Sequence, residues 1–349
     1  MFEIIATLCL SGICMERVLP QETVVSQAVC EATLDAHVEN WLSEHEGYSV
    51  DTQACVETTT LQSRAAALSQ VSPGQFVHQG MVADFTTDNA GDIANTGFIV
   101  GSESVAVVDA GSSRKVAEAL YLAIRTTTSL PIRFNFLTHM HPDHTLGADV
   151  FREAGAELIG APKLSESLNM RSDTYIANLE RLIGKKAFHG TQAVLPSRSI
   201  HGNRETVDIG NRKLILQSWP TAHTTNDMTI LDEMSSIIWM GDLTFLEHTP
   251  ALDGSILGWI ELLEDLSVDK ALKMVPGHGP AIAEFPDGFH PTLQYLTQLR
   301  DQTRASIDTG QSMGSALKSV GQDLRQQWQR FDQFHPRNVT HAYKELEWE

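Results

Sequence analysis

The chain has 349 residues, 42% of them hydrophobic and 20% charged, enough to bury one large core and carry smaller attachments. Its formal net charge of -19 and the lack of any Lys/Arg cluster argue against nucleic acid or an anionic membrane surface as partner, leaving small molecules and other proteins. No apolar run approaches the roughly 18 to 20 residues that cross a bilayer. The longest near the start is IIATLCL at 4–10, and with Glu3 as the only charge before it the segment lacks the basic region of an export signal.

All four cysteines, Cys9, Cys14, Cys30 and Cys55, fall in the first 55 residues. FEIIATLCLSGICMERVLP reads as two strands around a Ser11-Gly12 turn. With Leu10 and Ile13 flanking that turn as a hydrogen-bonded pair, Cys9 and Cys14 stand opposite each other in the next pair, within disulfide reach. Residues 26–45 read as a helix with Cys30, Leu34, Val38, Trp41 and Leu42 on one stripe and Gly47 just past its end. Cys55 follows in a strand. The favoured pairing is Cys9 with Cys14 and Cys30 with Cys55. A four-thiolate zinc site, disfavoured by the lack of a CxxC pair, and free core thiols are the alternatives. Disulfides would imply an oxidising compartment such as a bacterial periplasm.

From about residue 72 the chain turns strand-rich. ANTGFIVGSESVAVVDAG (94–111) suits a hairpin, 114–127 has helical spacing, and PIRFNFL (131–137) alternates as a strand. Further strands are expected at 213–219, 228–232, 236–240 and 272–275, and a helix over 163–184. After Pro286 a helix begins near Pro291 and ends at Gly310, and 312–332 reads as one or two more. The polar tail carries no motif, so packing or dimerisation would account for it. Interleaved strands and helices make the class α/β.

THMHPDHTLGAD (138–149) concentrates three of the 14 histidines. In an extended stretch, His139 and His141 point the same way and can share an ion, with Asp143 and His144 placed to serve a second. One ion needs only about three or four protein ligands, so the run calls for partners elsewhere. Three later stretches put a potential ligand at the end of an apolar strand: His223 in LQSWPTAHT, Asp242 in IIWMGDLT and His278 in KMVPGHGP.

HxHxDH followed by a later His, a Gly-Asp and a final His before Gly resembles the metallo-β-lactamase superfamily over roughly 75–285. The resemblance implies an αβ/βα sandwich, with a small cysteine-bearing α+β module at 1–70, the metallo-β-lactamase-like domain at 71–285 and a helical extension at 286–349. It implies that His139, His141 and His223 bind a first metal, that Asp143, His144 and His278 bind a second, and that Asp242 bridges the two. Asp109 would brace the ligand loops, and Asp143 would also orient or deprotonate the attacking water. Two Zn2+ are the expected cofactors, iron and manganese being compatible with the same donors. A bridging carboxylate at Asp242 is typical of the thioesterase and phosphodiesterase branches and generally missing from antibiotic-hydrolysing enzymes. Histidine rather than glutamate at His141 argues against flavodiiron redox chemistry.

GQFVHQG, GDIANTGFIVG and the terminal HPRNVTHAYKELEWE further resemble the SoxH-related quinoprotein relay system zinc metallohydrolases. That group implies a periplasmic location and an association with quinoprotein (PQQ) dehydrogenases. The expectation is a zinc hydrolase of an ester, thioester or lactone-like bond in a small-molecule substrate. A metal-stabilised accessory factor for a quinoprotein partner and a β-lactamase are the alternatives. Pocket walls are expected from 84–95, 163–190 and 246–256.

Overall fold

The computed structural model describes residues 1–23, 26–266 and 271–349. At the N-terminus, strand Phe2–Leu10 lies between Ile13–Leu19 and Ser49–Glu57 in a three-stranded antiparallel sheet. Alternation gives the central strand two buried faces. Ile4, Ala6 and Leu8 meet Cys30, Val38 and Trp41 of helix Gln27–Glu44, whereas Ile5 belongs to the core of the main body. Cys9 pairs in register with Cys14 and the two form a disulfide, with Cα atoms 4.0 Å apart; Cys30 and Cys55 form the other, at 6.0 Å. The four-thiolate and free-thiol alternatives are thereby excluded.

The main body is two sheets packed face to face. The first has seven strands, in the order 198–199, 157–160, 132–136, 105–108, 96–100, 75–78 and 69–72. The second has six, in the order 204–208, 213–218, 228–232, 237–245, 273–278 and 283–284. Val77, Ile99, Val108, Phe136 and Ile159 of one sheet close on Leu214, Leu216, Ile230, Trp239 and Val275 of the other. Each outer face is covered by helices: Arg114–Thr127 and Ala148–Glu153 on the first, Ile256–Asp265, His290–Asp308 and Phe331–Leu346 on the second. The result is the expected α/β sandwich of four layers.

One expectation needs correcting. The strand read at 236–240 runs on to Phe245, so Asp242 comes from within a strand, next to an irregularity in pairing at Gly241. Gly241 has φ +51°, and a Cβ there would stand 2.8 Å from the Thr138 side chain, so backbone there crosses closely over the histidine loop. The tail, expected within a helical extension but without a motif, ends in the 16-residue helix Phe331–Leu346. Its buried stripe, Phe331, His335, Asn338, Val339, Ala342 and Leu346, has helical spacing but is half polar at its start and carries Pro336, which hides the period.

Candidate metal centre

The first sheet ends strand Ile132–Phe136 at one edge of the sandwich, and the chain turns there through His139 and His141 into the short helix Pro142–Thr145, which carries Asp143 and His144. The second sheet brings His223 in the loop after Lys213–Ser218, Asp242 inside Ile237–Phe245 and His278 as the last residue of Lys273–His278. All seven sequence-derived candidates meet at this edge. They form two groups, one of His139, His141, His223 and Asp242 and one of Asp143, His144 and His278. Asp242 faces both: Oδ2 is 3.6 Å from His139 Nε2 and 3.4 Å from His223 Nε2, and Oδ1 is 3.2 Å from His144 Nε2 and 3.5 Å from His278 Nε2. Donors at ~2.0–2.2 Å on a tetrahedron stand roughly 3.3–3.6 Å apart, close to the 3.2–3.6 Å found around Asp242.

The outer partner of each imidazole assigns its tautomer. His139 Nδ1 donates to Thr138 Oγ1, whose own hydroxyl donates to Asp109; His144 Nδ1 donates to Asp109 Oδ2 at 2.8 Å. His223 Nδ1 donates to the Ala251 carbonyl at 2.6 Å and His278 Nδ1 to that of Ile93 at 2.9 Å. His141 is turned the other way, its Nε2 donating to Asp253 at 3.1 Å. In the neutral ring every inward nitrogen is then a bare acceptor. His141 Nδ1 lies 3.1 Å from His139 Nε2 and 2.9 Å from His223 Nε2, lone pair against lone pair. His144 Nε2 and Asp242 Oδ1 are buried with no hydrogen-bond partner. Acceptors converging without donors are satisfied by cations, so these donors fit divalent metal ions.

Electrostatics agree. Burial and the neighbouring imidazoles push His139 well down, and burial brings His223 to about 3, leaving both neutral. At the second group burial is overcome: Asp242 and Asp143 lift His278 to about 9, and Asp242 and Asp109 lift His144. Although burial opposes it, the same imidazoles bring Asp143 down to about 2 and Asp242 well below the usual carboxylate range. The carboxylates hold positive charge here, and a metal ion supplies it while displacing the protons.

Asp109 anchors the assembly. It has φ +57° at the end of strand Val105–Val108, and its Oδ1 also accepts from the Thr138 amide at 2.8 Å, tying the histidine loop to the first sheet. Gly277 is required by close approach, since a Cβ there would lie 1.9 Å from Asp242 Oδ1.

The centre opens into a cleft of about 340 Å³. Its walls include Phe85 and Ile93, Arg171 and Tyr175, and His248, Ala251, Leu252 and Asp253, from the three expected segments. A fourth wall was not expected: Phe334, Arg337, Asn338 and His341 of the C-terminal helix. Asp253, the partner of His141, is also held by Arg171. Neither residue sits in a recognisable motif, so only proximity in the fold reveals their link.

A third group, His45, Asp149 and Glu153, differs in kind. Trp41 and Arg114 donate to Glu153, and Gln192 and Arg152 to Asp149, so donors already saturate these carboxylates. It is a polar joint between the N-terminal module and the main body.

An αββα sandwich with two adjoining histidine-carboxylate groups at one edge defines a metal-dependent hydrolase by class. The chain belongs to the metallo-beta-lactamase superfamily, whose family model matches residues 90–278. A chicken (Gallus gallus) protein, acyl-coenzyme A thioesterase MBLAC2, is 25% identical over 213 residues, spanning 54% of this chain and 73% of that one. Among solved structures, the sec-alkylsulfatase Pisa1 from Pseudomonas sp. has TM-score 0.61 at 15% identity, covering 80% of this chain and 50% of that one. A metallo-beta-lactamase from Pontibacter korlensis has TM-score 0.54 at 18% identity, covering 66% and 98%. At such identities the structural likeness is one of fold.

Proposed function

We propose that this chain is a binuclear zinc hydrolase of ester, thioester or lactone-like bonds. The observation that carries the reading is the double-facing Asp242, each oxygen turned to a separate group of imidazoles. In it, His139, His141, His223 and Asp242 would hold one ion, and Asp143, His144, His278 and Asp242 would hold the other. When bound, the pair supplies a water that ionises near neutral pH and a Lewis acid for the substrate carbonyl. Thioester or ester chemistry is favoured over β-lactam by the bridging carboxylate and by the thioesterase relative.

The chain's own residues have definable tasks in this reading. Asp143, which lines the cleft with its Oδ2 3.3 Å from His278 Nε2, would orient the attacking water or take its proton. Asp253 and the Ala251 carbonyl fix the rings of His141 and His223. Phe85, Tyr175, Phe245 and Phe334 line the cleft with aromatic surface that suits an acyl or aryl group and sheds water.

The finer placement among the SoxH-related quinoprotein relay system metallohydrolases, and the division at 1–70, 71–285 and 286–349, belong to the same proposal. Two disulfides in the N-terminal module support an oxidising compartment such as the periplasm. A panel of thioesters, aryl esters, lactones and a cephalosporin tests the activity. Turnover of a thioester or ester is expected, lost on chelation and restored by zinc. Turnover of the cephalosporin alone, or activity indifferent to chelation, contradicts the reading.

A further inference from the structure

The helix Phe331–Leu346 turns Phe334, Arg337, Asn338 and His341 toward the cleft, residues spaced by three and four and therefore on one stripe. Asn338 is spent on structure, donating to the Pro250 carbonyl and accepting from the Leu252 amide. Arg337 and His341, one turn apart, are not. Both are exposed, and among the described residues neither makes an ion pair or a side-chain hydrogen bond.

Of the two arginines that line the cleft, Arg171 is held by Asp253 and Arg337 is left without a carboxylate, in a molecule where 44 acidic residues face 25 basic ones. At the cleft itself, Asp253 is taken by Arg171 and His141, and Asp143 and Asp242 by the imidazoles. No carboxylate of the lining is left to neutralise Arg337. An unpaired guanidinium at the mouth of an aromatic cleft, on an otherwise acidic surface, attracts anions into that cleft.

We infer that Arg337, assisted by His341, binds an anionic group of the substrate. The substrate is then an ester or thioester with a carboxylate or phosphate at one end, its apolar part lying along Phe334, Phe85 and Tyr175. This rests on the hydrolase reading above and narrows it to anion-bearing substrates. The carboxylate and phosphate sources differ in where the charge sits, on the acyl part or on the leaving thiol.

Two matched pairs separate them: p-nitrophenyl hemiglutarate against p-nitrophenyl valerate, and butyryl-coenzyme A against S-butyryl-N-acetylcysteamine. The anionic member of one pair is expected to have a KM about tenfold lower or better, the worth of a charge-assisted hydrogen bond. In Arg337→Gln that advantage collapses through KM far more than kcat, and Arg337→Lys keeps part of it. Metal content should stay at the wild-type level, which separates loss of anion binding from loss of the centre. Calorimetry with glutarate and with coenzyme A gives a readout free of catalysis: wild type should bind one of them about tenfold more tightly than Arg337→Gln. Equal binding of both anions by wild type and variant overturns the inference even if hydrolysis is found. Preserved binding differences with no turnover in either pair would instead overturn the hydrolase reading.

Discussion

At the scale of single residues, the centre depends on atoms that touch no substrate. Gly277 leaves room for Asp242, and a methyl there would stand 1.9 Å from Oδ1. Gly277→Ala is therefore expected to displace the bridging carboxylate and reduce bound metal to one ion or fewer per chain, measured by elemental analysis; two retained ions would count against the bridge. Asp253 acts one step out, fixing His141 through its Nε2. Asp253→Asn should weaken metal affinity by about 10- to 100-fold, the usual cost of losing such a partner, as read by competition with a chromophoric chelator. The seven candidate ligands were legible because their residue types and spacing carry the chemistry. Gly277, Asp253 and Arg171 were not, because each matters only through what the fold sets beside it.

At the scale of elements, the C-terminal helix with the residues just before it, the 246–255 loop and the start of helix Ile256–Asp265 behave as one unit. Asn338 holds Pro250 and Leu252, Glu345 accepts from Ser255 Oγ and the Ile256 and Leu257 amides, and Gln329 pairs with Thr249. That loop supplies the Ala251 carbonyl to His223 and the Asp253 carboxylate to His141. A helix far along the chain thus orients two imidazoles of one metal group. Asn338→Ala leaves the Leu252 amide and Pro250 carbonyl without partners inside the protein, costing roughly 1–3 kcal/mol. Denaturant titration should register that loss, and metal affinity should fall with it; unchanged affinity would separate the helix from the centre. The helices and strands of the two-sheet body were readable from periodicity, as in 114–127, where the expected and observed spans coincide. The bounds of the final helix within the expected helical extension were not, because His335 and Asn338 replace apolar residues in its buried stripe.

At the scale of the whole molecule, the N-terminal module is fastened to the body through buried polar contacts as well as apolar surface. Arg17 donates to the carbonyls of Lys186 and His189, Tyr121 donates to Glu3, and Arg114 reaches both Glu153 and the Val18 carbonyl. The module's strands and cysteine pairing could be read locally, from a turn and a helical stripe, whereas these long-range contacts had no sequence signature. Its two disulfides are unequal. Cys9–Cys14 closes a turn that the hairpin already closes, while Cys30–Cys55 ties the helix to an edge strand across 25 residues. By loop-closure entropy, Cys30→Ser/Cys55→Ser should lose about 3.5 kcal/mol and Cys9→Ser/Cys14→Ser at most about 2, since the hairpin already closes that turn. Equal losses in chemical denaturation would show that the hairpin does not hold without its disulfide.

The whole arrangement, two sheets delivering candidate ligands to one edge, converges on Asp242, which in the proposed function would be the carboxylate shared between two ions. Metal content and turnover measured together on the zinc-loaded wild type and Asp242→Ala test this most directly. Two zinc ions per chain in the wild type, with fewer ions and activity abolished in the variant, is the predicted result. One ion per chain in both proteins, with turnover unchanged by the substitution, would contradict it.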